Sequence, residues 1–275
     1  MLKRWVFCLA LEIALLSEAV QAGEAFSIPS NPIPGVLAAR PAPVPLVGTL
    51  QRPTQGSGPF PVVIVLHTCA GIGNGYLVQS WAERLNRWGY AAFILDSFGP
   101  RNTREVCAQS GTTVVSVLDR AGDAINAAMF LRTVPGIDGK RIGAVGMSHG
   151  GATAAALTMR AFEAYQPGLI KASVDYYGTC RSPAEHGTVP LLALAGEPDD
   201  WGNPAQSCTS FRAALGPGQP MELHVYSGVY HSFDNDRLRG VVWSHTHRLQ
   251  YDATAAEDSF VRTRAFLDHY VKDAQ

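Results

Sequence analysis

The hydrophobic residues of this chain fall into short runs separated by longer stretches of helical spacing. Val62–Leu66 (Val-Val-Ile-Val-Leu), Ala91–Leu95, Ile142–Val145, Ile170–Tyr177, Pro190–Ala195 and Met221–Tyr226 each read as a strand. Most lack polar alternation, the pattern of strands buried on both faces of a parallel sheet. Between them lie helical segments. Tyr76–Trp88 puts Leu77, Trp81 and Leu85 on one face and is stopped by Gly89. Val114–Thr133 predicts a long amphipathic helix and Ala152–Arg160 an Ala-rich one. Asn203–Leu215 and Ala253–Val271 (with Phe260, Phe266 and Leu267) complete the set. Strand and helix alternate throughout, which predicts an α/β fold with a doubly wound, mostly parallel sheet flanked by helices. Ahead of these, proline-rich Ala25–Pro45 predicts an extended surface segment, Val44–Gln51 a short edge strand and Gln55–Pro59 a turn.

A chain of 275 residues that is 47% hydrophobic can bury one large core, and no repeat or linker divides it. Residues 23–275 are therefore expected to form a single domain. The net charge of −1, without a basic run or interleaved aromatics, leaves no reason to expect a nucleic-acid partner. Residues 1–22 read as a secretory signal peptide: Lys3 and Arg4, the apolar stretch Trp5–Leu16, then Val20-Gln-Ala22 as a small-residue cleavage site. The expected location is secreted or periplasmic, off the membrane once the leader is removed, as a monomer or weak homo-oligomer. Cys8 would leave with the leader. Cys69, Cys107, Cys180 and Cys208 remain, and an even number in an exported chain predicts two disulfides, with three pairings open.

Chemistry enters at Gly146-x-Ser148-x-Gly150, which stands between the apolar strand and the Ala-rich helix. That is the context of a nucleophile elbow, in which a strained strand-to-helix turn lifts a serine hydroxyl above the sheet edge. In open α/β sheets function collects at the carboxyl ends of strands. Ser148, Asp199 and His231 all fall at such ends, in the order Ser, Asp, His. Ser148 would attack a carbonyl, His231 would carry its proton, and Asp199 would hold the imidazole tautomer. Asp200 is adjacent, and the Gly196-x-x-Asp spacing favours Asp199. His67, His186, His224, His245 and His247 compete with His231, with His67 expected to buttress its loop. Ser244-His-Thr-His247 lacks the carboxylates or cysteines of a metal site, so no metal is expected.

With these motifs the chain resembles the dienelactone hydrolase family of the α/β-hydrolase superfamily. The resemblance runs from about Val44 to Tyr270. It rests on His67-x-x-x-Gly71, Asp96-Ser-Phe-x-Pro-Arg101, Arg141-Ile-Gly-x-x-Gly-x-Ser-x-Gly-Gly151, Gly196-x-x-Asp-Asp-Trp201 and His231-x-Phe-Asp234. It implies the α/β-hydrolase fold and a serine esterase acting on a small-molecule ester, lactones included, without a cofactor. The founding enzymes of that family carry a cysteine nucleophile and a glutamate where this chain has Ser148 and Thr68, so the likeness is to exported serine members. The expected oxyanion donors are the backbone N–H groups of His149 and Cys69. Arg101, Tyr76, Tyr177 and Trp201 are candidate substrate-binding residues, with a salt bridge that pins its own loop as the alternative for Arg101. The superfamily's strand order makes neighbours of the strands before Cys69 and Cys107, and of those before Cys180 and Cys208, which implies those two disulfides. A peptidase of prolyl-oligopeptidase type acting on short peptides, and a non-catalytic binding protein on the same fold, are the alternatives.

Overall fold

The computed structural model describes residues 23–34, 44–73, 75–108, 115–182 and 185–273. The leader assigned to residues 1–22 lies outside the described residues. In chain order the strands are β1 (Glu24–Ile28), β2 (Leu46–Gln51), β3 (Phe60–Leu66), β4 (Ala91–Asp96), β5 (Ile137–Met147), β6 (Ala172–Tyr176), β7 (Leu191–Gly196), β8 (Met221–Tyr226), β9 (Val241–Ser244) and β10 (His247–Gln250). The α-helices are α1 (Tyr76–Arg87), α2 (Val117–Leu131), α3 (His149–Ala156), α4 (Arg160–Tyr165), α5 (Pro204–Ala213) and α6 (Ala253–Leu267).

β1 to β8 form one sheet in the order β1-β2-β4-β3-β5-β6-β7-β8. β3 pairs in parallel with both β4 and β5, and the parallel run continues through β6 and β7 to β8. β2 is antiparallel to β4, and β1 is antiparallel to β2. This is the α/β-hydrolase architecture. Apolar runs sit at its centre because both sheet faces are covered. In β3, Val62, Ile64 and Leu66 pack into the core under α2 and α4, while Val63 and Val65 pack against α1 and α6. Trp81 of α1 is 1% exposed and anchors that second core between Tyr176 and Phe260.

Several boundaries depart from the periodicity. The segment expected to lie extended from Ala25 begins with a true strand, β1, so β2 is covered rather than an edge. A strand pairs wherever an open neighbour offers its backbone groups, and hydropathy does not report that. α2 starts at Val117 because Ser116 accepts the Asp119 N–H and Asp119 returns a bond to the Ser116 N–H, a capping box worth about 1 kcal/mol. The helix expected over Ala152–Arg160 ends at Ala156, and a second short helix, α4, starts at Arg160. β8 is followed by a hairpin, β9–β10, that periodicity missed. Its turn residues His245 and Thr246 have φ of 49° and 72°. Two-residue hairpin turns demand such angles and advertise themselves through Asn-Gly, which His-Thr does not resemble.

Two disulfides, Cys69–Cys107 and Cys180–Cys208, match the expected pairing. Cys208 lies in α5 rather than in a loop, so the second bond ties the segment after β6 to a helix. The first ties the loop after β3 to the loop after β4, packed with Phe98, Val106 and Trp201. Such bonds persist in oxidising compartments. Among the described residues no helix is long and apolar enough to cross a membrane. With its partners 28 positions apart in sequence, loss of Cys180–Cys208 in a Cys180→Ala/Cys208→Ala variant is expected to cost roughly 2–4 kcal/mol, read as a lower urea midpoint.

Candidate active site

Ser148 sits where β5 turns into α3, with φ 58° and ψ −116°, a conformation that a non-glycine residue adopts only when its surroundings force it. The forcing is visible at the flanking glycines. A Cβ on Gly146 would lie 1.9 Å from the Gly150 carbonyl oxygen, and one on Gly150 would lie 2.1 Å from that of Leu66. The turn is that tight, and it pushes the hydroxyl out of the sheet edge.

His231 follows β8, and its ring joins the other two candidates. Nε2 is 3.0 Å from Ser148 Oγ and Nδ1 is 2.8 Å from Asp199 Oδ2. Asp199 is 2% exposed, and its second oxygen accepts the Trp201 N–H at 2.9 Å. Asp200 points elsewhere, to His247 Nδ1 at 3.1 Å. Spacing alone favoured Asp199, and the contact to His231 is made by that residue.

The imidazole is held on several sides. Tyr177 packs against it at 4.7 Å and Trp201 at 5.0 Å between ring centroids. The Gln250 N–H donates to the His231 carbonyl, which fastens the β9–β10 hairpin to the loop. Below, the buried Asp234 accepts from Tyr177 Oη at 2.6 Å and Trp81 Nε1 at 2.9 Å. Burial raises the Asp234 carboxyl from its ordinary range, against the pull of those two donors.

Only Trp201, of the four side chains expected to meet substrate, stands beside His231 while remaining partly exposed. Arg101 is taken by Asp123, with Nη1 at 2.7 Å and Nη2 at 2.8 Å from its two oxygens, and by the Ser97 carbonyl at 2.8 Å. A bidentate pair with a nearly buried carboxylate outcompetes a pocket role, so Arg101 pins its loop. Tyr177 is buried, its hydroxyl spent on Asp234, and it supports His231 rather than facing outward. Tyr76 is hydrogen-bonded to Asp236, and Arg237 lies over its ring at 3.5 Å.

The histidines that competed with His231 are occupied, His245 by the neighbouring Ser244 hydroxyl at 3.1 Å. His67 donates from Nδ1 to the Thr68 carbonyl at 2.8 Å while Nε2 faces the Ser97 N–H at 3.4 Å, so it braces the loop after β3. His186 bonds Thr158, His224 lies by Asp258, and His247 stacks on Trp201 at 4.9 Å. His149 holds Arg120 through Nδ1 at 2.7 Å. Burial and the Arg120 charge lower its pKa to about 3. Arg120 escaped the sequence reading. Its signal was present, since an arginine four before Ala124 and eight before Ala128 stands on the apolar stripe of α2.

The sequence model of the Dienelactone hydrolase family matches residues 46–271. The chain belongs to that family. Protein usf of Aquifex pyrophilus is 26% identical over 233 residues, spanning 82% of this chain and 93% of that protein. Among solved structures, a putative dienelactone hydrolase from Klebsiella pneumoniae subsp. pneumoniae MGH 78578 superposes with a TM-score of 0.64 at 22% identity, covering 90% of this chain and 100% of the other. Thermogutta terrifontis esterase 2, phosphoramylated by tabun, superposes with a TM-score of 0.60 at 15% identity, over 91% and 95% of the two chains. At such identities the superpositions speak for the fold. In this family member, the depressed His149 and the still more buried His67 bear on acid stability. Unfolded, a histidine gains its proton below about 6.5, whereas these two resist it when folded. The contribution of His149 is present above about pH 6.5 and drains away as the pH falls towards about 3, and that of His67 is lost in the same direction. Thermal unfolding from about pH 7 to about pH 4 is expected to show a shallower decline in Tm for His149→Leu than for wild type.

Proposed function

We propose that the protein is a serine hydrolase of small carboxylic esters, lactones included, acting through an acyl-serine. The observation that carries this reading is the single imidazole of His231 in contact with both Ser148 and Asp199. Ser148 Oγ attacks the ester carbonyl carbon as its proton passes to His231 Nε2. Asp199 accepts the Nδ1–H and stabilises the imidazolium. The backbone N–H groups of His149 and Cys69 receive the oxyanion. The first is a leading N–H of α3, without an intrahelical partner, and it adds the positive end of the helix dipole. Collapse of the tetrahedral species breaks the ester C–O bond, and Nε2 returns the proton to the departing alkoxide. Water then attacks the acyl-serine with His231 as base, releasing the carboxylic acid and restoring Ser148.

Family membership supports hydrolysis in general. The reaction of tabun with the Thermogutta esterase supports an organophosphorus-sensitive nucleophile on this fold. Trp201 beside His231 offers a flat apolar wall for one arm of the ester. The two disulfides and the leader-like residues 1–22 support an exported protein working outside the cytoplasm as a monomer or weak oligomer.

The test is intact-mass labelling with a fluorophosphonate, followed by peptide mapping and a p-nitrophenyl ester chain-length series. One probe per chain on the peptide carrying Ser148, with turnover of short esters, is the expected result. Folded, oxidised protein that neither labels nor turns over would overturn the reading in favour of a binding protein.

A further inference from the structure

Among the fully buried side chains of the described residues Arg120 is second in volume only to Trp81. Nη2 donates to the His67 carbonyl at 2.6 Å, and Nη1 donates to His149 Nδ1 at 2.7 Å. Phe98 lies against the guanidinium at 5.0 Å, and Nε has no partner among the described residues. A buried guanidinium ordinarily rests on a carboxylate, because an unpaired buried charge costs several kcal/mol. Here the two carboxylates that act on it electrostatically are committed to other groups. Asp123 is held by both Nη atoms of Arg101, and Asp96 Oδ1 accepts the N–H groups of Phe98 and Gly99 at 2.9 Å each. The cation is therefore spent on two neutral acceptors.

Those acceptors belong to the two segments that present the proposed oxyanion donors. His67 opens the loop that continues through Thr68 to Cys69, and His149 is the residue after the nucleophile. One planar fork on α2 spans both. We infer that Arg120 is the positioning residue of the oxyanion hole. Its fork sets the spacing between the Cys69 loop and the Ser148–His149 elbow, and its charge, lacking a carboxylate of its own, is left to favour the negative charge that forms there. The inference rests on the serine-hydrolase reading. Because a guanidinium only donates, His149 Nδ1 accepts and the imidazole stays neutral with its proton on Nε2. His149 is thereby removed as a rival base to His231. The same pair locks the elbow's first helical residue to α2.

A purely structural arginine and a positioning one predict opposite results when the charge is replaced by an apolar side chain of similar reach. Removing the guanidinium takes away a buried charge but leaves the His67 carbonyl and His149 Nδ1 without their donor, so Arg120→Met is expected to fold with a modestly lowered Tm in either case, and kcat is what separates the two. The variant's kcat on a p-nitrophenyl ester should fall about 10²-fold, the scale of losing an oxyanion donor, with KM within about threefold. Affinity for a phenylboronic acid, which forms a tetrahedral adduct on the serine, should fall in step with kcat. Arg120→Lys keeps the charge but reaches one acceptor at a time, so it should recover part of the lost kcat. Should Arg120→Met not fold, His149→Leu removes one acceptor and is expected to lower kcat about tenfold at unchanged KM. A folded Arg120→Met, or failing that His149→Leu, with wild-type kcat and boronate affinity would overturn the inference while leaving the hydrolase reading intact. Wild-type protein without turnover or fluorophosphonate labelling would remove both.

Discussion

Asp199→Asn is expected to cut ester turnover about 10⁴-fold, whereas Asp200→Asn, one residue along, leaves it within about twofold of wild type. The asymmetry follows from where the two carboxylates point. Asp199 is buried and accepts from His231 Nδ1, so an amide in its place would present a donor and turn the imidazole to the wrong tautomer. Asp200 is exposed and meets His247, a residue of the hairpin. Ser148→Ala should lose still more, about 10⁶-fold, and abolish fluorophosphonate labelling, because the oxygen that would be phosphonylated is gone. Steady-state kinetics on one p-nitrophenyl ester, with circular dichroism to establish folding, compare all three. Equal losses in Asp199→Asn and Asp200→Asn would contradict the assignment of the acid.

Gly150→Ala is expected to destabilise the protein by at least about 3 kcal/mol or to prevent its recovery as folded material. The added Cβ would stand 2.1 Å from the Leu66 carbonyl oxygen and 2.6 Å from that of His67. Both are backbone atoms at the end of a central strand, so neither rotates aside. Relief requires moving α3 away from β3, which separates Ser148 from the loop carrying Cys69. Gly146→Ala meets the Gly150 carbonyl oxygen and should behave alike. Gly73→Ala, whose Cβ would have no neighbour within 4 Å, should change stability by no more than about 0.5 kcal/mol. Urea denaturation of the three variants measures this, and a Gly150→Ala protein as stable as Gly73→Ala would show that the elbow is looser than its geometry indicates.

Much of this molecule could be read along the chain because the signals are local. Uninterrupted apolar runs such as Val62–Leu66 leave no face for water, so a sheet covered on both sides follows. Gly89 ends α1 with φ 84°, and the small residues of Gly146-x-Ser148-x-Gly150 are the ones a strained strand-to-helix turn admits. The residues that meet at His231 were legible too, since a parallel α/β sheet delivers strand ends to one edge whatever lies between them.

What the chain by itself left open depended on partners distant in sequence. For Arg101 a substrate contact and a salt bridge both stayed open until α2 placed Asp123 beside it, and Tyr177 looked free to line a pocket until the loop after β8 brought Asp234 under its hydroxyl. The strand β1 exists because β2 offers an open edge. The β9–β10 hairpin exists because the turn at His245-Thr246 adopts left-handed angles that its residue types do not announce. Arg120 marks the division between the two. Periodicity put a charge on the buried stripe of α2, and only the assembled fold could show that its fork reaches the His67 carbonyl and His149, 53 and 29 residues away. Hydrophobic patterning specifies which side of an element is buried. The hydrogen-bonding partners that a buried polar group requires are supplied by whatever the tertiary structure brings within about 3 Å.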